Sequence, residues 1–383
     1  MTHLHHEDMM MTRTDIPPIG PVATPEPLPD SLPDQSPGAF LRQELAARGL
    51  TQGELAVRTN LSAKHVNQVI QSVVPLSTDM ALRVERATGL SSSLLISLQA
   101  RWDAHERRQE ARADLGAHRG WFETFPRDVL VREQIINNSE PIEDQIDDLL
   151  KFFGVADPHA YEELLADSLL SFRRAQHLNV DEAATALWLR LGERVAESLI
   201  QESAVPAFSK KAFQELLDQL PPLTKLRPPR SFEQLRDLCL EVGVIVLLLR
   251  EVNGSRANAV TRWVANRPVL ILTDRGKFED TVWFNFFHEA GHVLLHPKRK
   301  SAVNLGKTGD DADGHESEAN EFATDYLLRH KDPHVLAAIK TAAGAKELAQ
   351  QLDVDEGIVA GQTAYRYNRF PHMQGTRRGY QIP

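Results

Sequence analysis

Val282-Trp283-Phe284-Asn285-Phe286-Phe287-His288-Glu289-Ala290-Gly291-His292 decides how the C-terminal part of this chain is read. The stretch reads as a helix, with Asp280 just ahead of it as the cap. His288 and His292 are four residues apart, so both imidazoles leave the same helical face, one turn from each other. Two nitrogens at that spacing can share one tetrahedral zinc ion. Glu289 is rotated by about 100° from His288, which sets its carboxylate close to the metal without making it a ligand. There it can take a proton from water. Gly291 lets a second element come close.

A third ligand has to come from elsewhere in the chain. His315-Glu316-Ser317-Glu318-Ala319-Asn320-Glu321-Phe322-Ala323 predicts the next helix. On it Glu316 shares a face with Ala319, Asn320, Ala323 and Leu327, whereas Glu318 points roughly the opposite way with Phe322 and Asp325. Glu316 is therefore the preferred ligand and Glu318 the second choice. Asn320, one turn past Glu316, is placed to bond an imidazole N–H behind the metal. His296, one turn past His292, is expected at the solvated rim. The expected cofactor is Zn2+, with another divalent metal as the alternative. No oxyanion donor can be named.

Working outward, Val242–Leu249 and Pro268–Thr273 are runs rich in branched residues, as buried strands require, and Ala257–Val264 is a weaker third strand. Helices are expected at about 281–296, 315–329 and 332–351. Residues 231–383 are thus predicted to be an α+β domain with a small β-sheet. Pro221, Pro222, Pro228 and Pro229 bracket a linker before it, and 103–230 reads as a helical connector. At the other end, 1–36 carry His3, His5, His6 and a proline density that no helix or central strand tolerates, so this tail is expected to be disordered.

Residues 37–102 form the remaining module, expected to hold five helices. Thr51 caps a helix with Glu54 at the capping-box position, and Leu55, Ala56 and Thr59 face inward. Asn60-Leu61-Ser62 turns the chain, and Ser62 caps the next helix, whose buried stripe is Val66, Val69 and Ile70. Lys64, Asn67 and Gln68 then face outward with Ser62 at the helix start, residue types that read bases or phosphates in a major groove. Gln52 sits where the first helix of the pair meets the DNA backbone. Seven basic and four acidic residues give this module a charge of +3 on a chain of net charge −10. A basic module on an acidic protein suits docking of double-stranded DNA at one face.

Two resemblances follow from these residues. The stretch from Gly38 through "LTQGELAVRTNLSAKHVNQVI" to "TGLSSSLLISLQARWD" resembles the XRE-type helix-turn-helix of HigA-like antitoxins. The usual aromatic pair late in that module is replaced here by Leu94-Leu95-Ile96. "FFHEAGHVLLH", "ESEANEFA" and "LDVDEGIVAGQ" resemble the zinc helix, third-ligand helix and C-terminal turn of the ImmA/IrrE metallopeptidases, and the likeness reaches upstream to "WLRLGE" and "NAVTRWV". Asp355-Glu356 stands where that family usually has a proline before the glycine, a departure expected to affect a turn only. The resemblances imply a zincin-like peptidase fused to an operator-binding module. They also imply cleavage of a repressor or antitoxin, or of the chain itself, in stress or mobile-element control. The rival they leave is a HigA-like antitoxin or repressor whose metal domain binds a toxin or senses a ligand without proteolysis. Helix-turn-helix proteins read two half-sites as pairs, so a homodimer is expected.

The bulk composition bounds these readings. At 383 residues the chain is too long for one small core. No apolar run approaches the roughly 18 residues that span a bilayer, so no membrane partner is expected. One cysteine, Cys239, permits no internal disulfide and fits the reducing cytoplasm.

Overall fold

A hydroxyl side chain opens each of the first five helices. In the computed structural model, which describes residues 36–164, 181–203, 205–296, 311–369, 373 and 375–382, these are α1 (Pro37–Ala47), α2 (Gln52–Thr59), α3 (Ala63–Ile70), α4 (Thr78–Thr88) and α5 (Ser92–Leu115). Ser36, Thr51, Ser62, Ser77 and Ser91 each accept a backbone N–H of the helix they precede, relieving donors that have no partner within the helix. At Thr51 the capping box is complete, Glu54 receiving the Thr51 N–H at 2.8 Å. Asn60 and Gly89 end α2 and α4 in the left-handed region. Leu41, Leu55, Val66, Ile70, Met80, Val84 and Leu95 close a common core. The tail expected at 1–36 lies outside the described residues except for Ser36.

The chain divides into two compact units. One contains the described residues up to Gly120 together with Asn137–Asp148, and the other contains Trp121–Ile136 and the described residues from Leu149 onward. Residues 103–230, read from sequence as a connector, are shared between them. They supply α6 (Arg119–Phe122), α7 (Arg127–Arg132), α8 (Ile142–Phe153), α9 (Glu182–Glu202) and α10 (Lys210–Leu217). Helix α11 (Arg230–Glu241) then leads into the sheet.

The sheet has three strands, β1 (Ile245–Leu249), β2 (Ala259–Val264) and β3 (Arg267–Thr273), in the order β1-β3-β2. β1 lies parallel to β3 with Ile245 opposite Val269, and β2 is antiparallel to β3 with Val264 opposite Arg267. The β2–β3 turn, Ala265-Asn266, has positive φ at both residues, matching the right-handed twist of a tight hairpin. The first strand starts three residues later than expected. Val242 instead caps α11, and Gly243 continues the stop with φ 79°.

Adjacent strand residues point to opposite faces. Thr261 bonds Glu289 on α12 (Glu279–Leu295), whereas Arg262 bonds Glu193 on α9, so the two helices cover opposite faces of the sheet. Gly192 makes the α9 layer possible, since a Cβ there would fall 2.2 Å from the Ile271 side chain. On the α12 side, Val282, Trp283, Phe286, Phe287 and Ala290 join Leu270 and Leu272 in the core.

Three expected boundaries need correction. Helix α12 is not capped by Asp280, which sits buried in its first turn and bonds Arg377. The free N–H of Glu279 is taken instead by the Arg378 carbonyl at 3.0 Å, so a segment from the far C-terminus supplies the cap. The helix expected at 332–351 is a 3-10 turn, Pro333–Ala338, followed by α14 (Ala342–Leu352). Thr341 interrupts it by accepting the Gly344 N–H and starting a new helix. The "DEGIVAGQ" stretch, expected as a turn, is helix α15 (Glu356–Tyr367), with Asp355 as its N-cap. Asp355 accepts the Gly357 N–H at 2.8 Å and so starts the helix, with Glu356 at its first position, where a proline is also accommodated. Helix α13 (Asp311–Leu327) lies between these elements in sequence. The described residues contain no helix long and apolar enough to cross a membrane.

Candidate metal centre

Helix α12 carries His288 and His292 on one face, with their Nε2 atoms 3.1 Å apart. Helix α13 brings Glu316 to both: one oxygen lies 3.2 Å from His288 Nε2, the other 3.4 Å from His292 Nε2. Tetrahedral zinc with bonds of about 2.0–2.1 Å sets its ligand atoms roughly 3.3 Å from one another. The trio therefore already has the spacing that one small divalent ion requires, and its three ligand atoms fall within 4.8 Å of one another. Gly291 lets α13 come this close, since a Cβ there would lie 3.3 Å from Ala319 Cα.

Charge reinforces the geometry. Burial works against the Glu316 carboxylate, but hydrogen bonds from His288 and His292 hold it well below the usual carboxylate range. Burial likewise opposes a charged His288, yet Glu316, Glu289 and Asn320 together hold its imidazole above the ordinary value. A metal ion bound by these three groups would displace any imidazole proton that faces the carboxylate.

The other expected residues fall as follows. Asn320 Oδ1 accepts the His288 Nδ1–H at 3.0 Å, which leaves Nε2 free for a metal. Glu289 is buried, and its Oε2 accepts the Thr261 hydroxyl at 2.7 Å. Thr261 on β2 was not singled out from the sequence, and no local signal marks it: only the strand register brings it under α12. Glu318, the second choice as ligand, is not in the trio. Its Oε2 lies 3.0 Å from His296 Nε2. His296 is not at the solvated rim. It is buried at the C-cap of α12, 2.9 Å from His292 Nδ1, and lies against the His315 ring at 4.1 Å. The expectation failed because helical periodicity continues past Leu295, whereas the chain leaves the helix at His296 and folds the ring inward.

In the N-terminal unit, Lys64 and Asn67 are exposed on α3, with Gln52 and Gln68 partly exposed beside them. Ser62 is exposed and spends its oxygen on the His65 N–H. Val66, Val69 and Ile70 face the core, as the stripe predicts.

Residues 240–360 match the model of the Peptidase_M78 family, described as the IrrE N-terminal-like domain. The match spans all three strands, Thr261, the His288–His292–Glu316 trio and Glu289, and it supports a metallopeptidase-type function for this part of the chain. It lies outside the five N-terminal helices. A search of curated proteins found no match.

Proposed function

We propose that this chain is a cytoplasmic DNA-binding regulator whose C-terminal unit is a zinc-dependent endopeptidase acting on a repressor- or antitoxin-like protein, or on itself. The observation that carries the reading is the trio of His288, His292 and Glu316, with a buried Glu289 carboxylate beside it held by Thr261. The donor set, two imidazoles and one carboxylate, is the kind that leaves a position open on zinc. When bound, such an ion lowers the pKa of water and polarises a carbonyl. The chain's own residues do the rest. Thr261 occupies one oxygen of Glu289, which leaves the other to take a proton from the attacking water. Glu289 then returns that proton to the departing amine, so that amide and water become acid and amine. Asn320 keeps His288 in the tautomer that offers Nε2.

The regulatory half of the proposal rests on α2 and α3. Their caps and turn give a helix pair whose second member exposes Lys64 and Asn67, with Gln52, Ser62 and Gln68 at its edge. In this reading a homodimer lays the two α3 helices in successive major grooves of a double-stranded DNA operator.

The test is Glu289→Gln, compared with wild type on the products of neighbouring genes, with cleavage read by mass spectrometry with and without chelator. The variant is expected to keep metal and operator binding and to lose cleavage by a factor of about 100 to 10,000. If Glu289→Gln cleaves as well as wild type, Glu289 is not the base; if zinc-loaded wild type cleaves none of these proteins, nor itself, the enzymatic reading fails and the antitoxin-like binder takes its place.

A further inference from the structure

An imidazole can give Nε2 to a metal only when its proton sits on Nδ1, and that proton needs an acceptor. His288 has one in the Asn320 carbonyl, which can only accept. His292 has a different kind of neighbour. The atom 2.9 Å from its Nδ1 is another ring nitrogen, Nδ1 of His296. A ring nitrogen accepts in only one tautomer, the one with the proton on the far nitrogen. On His296 that far nitrogen, Nε2, lies 3.0 Å from Glu318 Oε2.

With His296 neutral and His292 Nε2 given to a metal, the three groups admit one self-consistent arrangement of protons. The Glu318 carboxylate accepts from His296 Nε2–H. His296 Nδ1 then accepts from His292 Nδ1–H, and the lone pair on His292 Nε2 points toward Glu316 and His288. The middle ring is not free to turn away. It is buried, the backbone N–H of His296 bonds the His292 carbonyl at the end of α12, and the ring lies against His315 with 32° between the ring planes. The outer end is different, since the Glu318 side chain is 61% exposed.

We propose that Glu318 and His296 are positioning residues that fix the tautomer of His292 and thereby set the metal affinity of the centre. The inference rests on the metal centre described above and does not depend on whether the bound ion supports proteolysis. Losing a partner that orients a metal-bound imidazole typically weakens metal binding tenfold to a hundredfold.

The test is competition for Zn2+ between a chromogenic chelator and purified full-length protein. Glu318→Ala is the main variant, because its exposed side chain can be removed without touching the core. A roughly tenfold or larger loss of zinc affinity is expected for Glu318→Ala, with partial recovery in Glu318→Gln, whose amide oxygen still accepts from His296. His296→Phe keeps the ring packing and should lose as much as Glu318→Ala. Combining the two should cost little more than either alone, since both break one chain. In zinc-loaded protein, 15N shifts of His296 should report the Nε2–H tautomer in wild type and a change in Glu318→Ala. The proposal is overturned if Glu318→Ala binds zinc as tightly as wild type while Glu316→Ala does not. A wild-type protein that takes up no zinc overturns both this proposal and the metal centre. Tight zinc binding without any cleavage overturns the peptidase reading alone and leaves the relay standing.

Discussion

The two units are put together on different length scales. In the N-terminal unit each of the first five helices is started by a hydroxyl that bonds an N–H three residues on, as Ser62 does with His65 and Ser77 with Met80. In the C-terminal unit the functional atoms are held from far along the chain. Thr261 reaches Glu289 across 28 residues, Asn320 reaches His288 across 32, and Arg377 reaches Asp280 at the foot of the same helix across 97. Local caps make helices anywhere, whereas a metal centre exists only when sheet, helix pair and C-terminal segment are all in register. Perturbing the long-range contacts should therefore damage the centre, while perturbing the caps should damage only the helices they start.

The largest stability effect expected from this contrast is at Gly361. Replacing a mid-helix glycine by alanine ordinarily stabilises by up to about 1 kcal/mol. Here the new Cβ would lie 2.0 Å from Asp280 Oδ2, where α15 crosses the start of α12. Gly361→Ala is therefore expected to destabilise by roughly 1–3 kcal/mol, the usual cost of overpacking. The change should appear in thermal unfolding followed by tryptophan fluorescence, through the buried Trp188 and Trp283. A stabilised variant would mean that α15 is not tied to α12 as described.

The residues proposed to face DNA offer a comparable effect with no bearing on metal. Asn67→Ala should relax base preference by about 1–3 kcal/mol at one position of the operator. Lys64→Ala should weaken binding across all sequences and reduce the salt slope by about one. Both are measurable by fluorescence anisotropy at several salt concentrations, with zinc content unchanged. Equal effects on specific and random DNA from Asn67→Ala would remove it from base contact.

A cap tests the local side of the comparison. Ser77→Ala leaves the Met80 N–H without its acceptor and should cost about 1 kcal/mol. Hydrogen exchange should show the loss in α4 alone, with zinc affinity untouched.

What could be read from the sequence divides along the same line. The His288–His292 face and the choice of Glu316 over Glu318 follow from helical periodicity, which needs no knowledge of neighbours. Ser62 as a cap and the Val66–Val69–Ile70 stripe are equally local. The break at Thr341 and the late start of β1 are local misreadings, whereas those at the site involve partners or chain path that periodicity does not show. Asp280 has the residue type of a cap, yet the Arg378 carbonyl takes that place and Arg377 claims its carboxylate. Asp355 sits where a family turn was expected, but its side chain starts α15 and binds Arg378. His296 would be solvated if α12 continued, and it is buried because α12 stops. A helical wheel shows that Glu318 faces away from Glu316, but not that His296 waits on that other side.

The smallest effect expected is pH-dependent. Hydrogen bonds to Asp325 and then Asp218 hold His330 above its ordinary value of 6.5, with burial opposing. A raised value in the folded state means that the contribution is fully present below pH 6.5 and disappears as pH rises through the folded value. The melting-temperature gap between wild type and His330→Gln should thus be largest below that pH and close above it. The group is half exposed, so the gap should be small at every pH. A gap that widens with rising pH would contradict the assignment.

The central claim is that α12 and α13 together build one metal centre. Elemental analysis of purified protein after zinc reconstitution and removal of free ions tests it most directly. Wild type and Glu289→Gln should each retain about one zinc per chain, and His288→Ala should retain essentially none. Wild type without bound metal, or His288→Ala with as much zinc as wild type, would contradict the account.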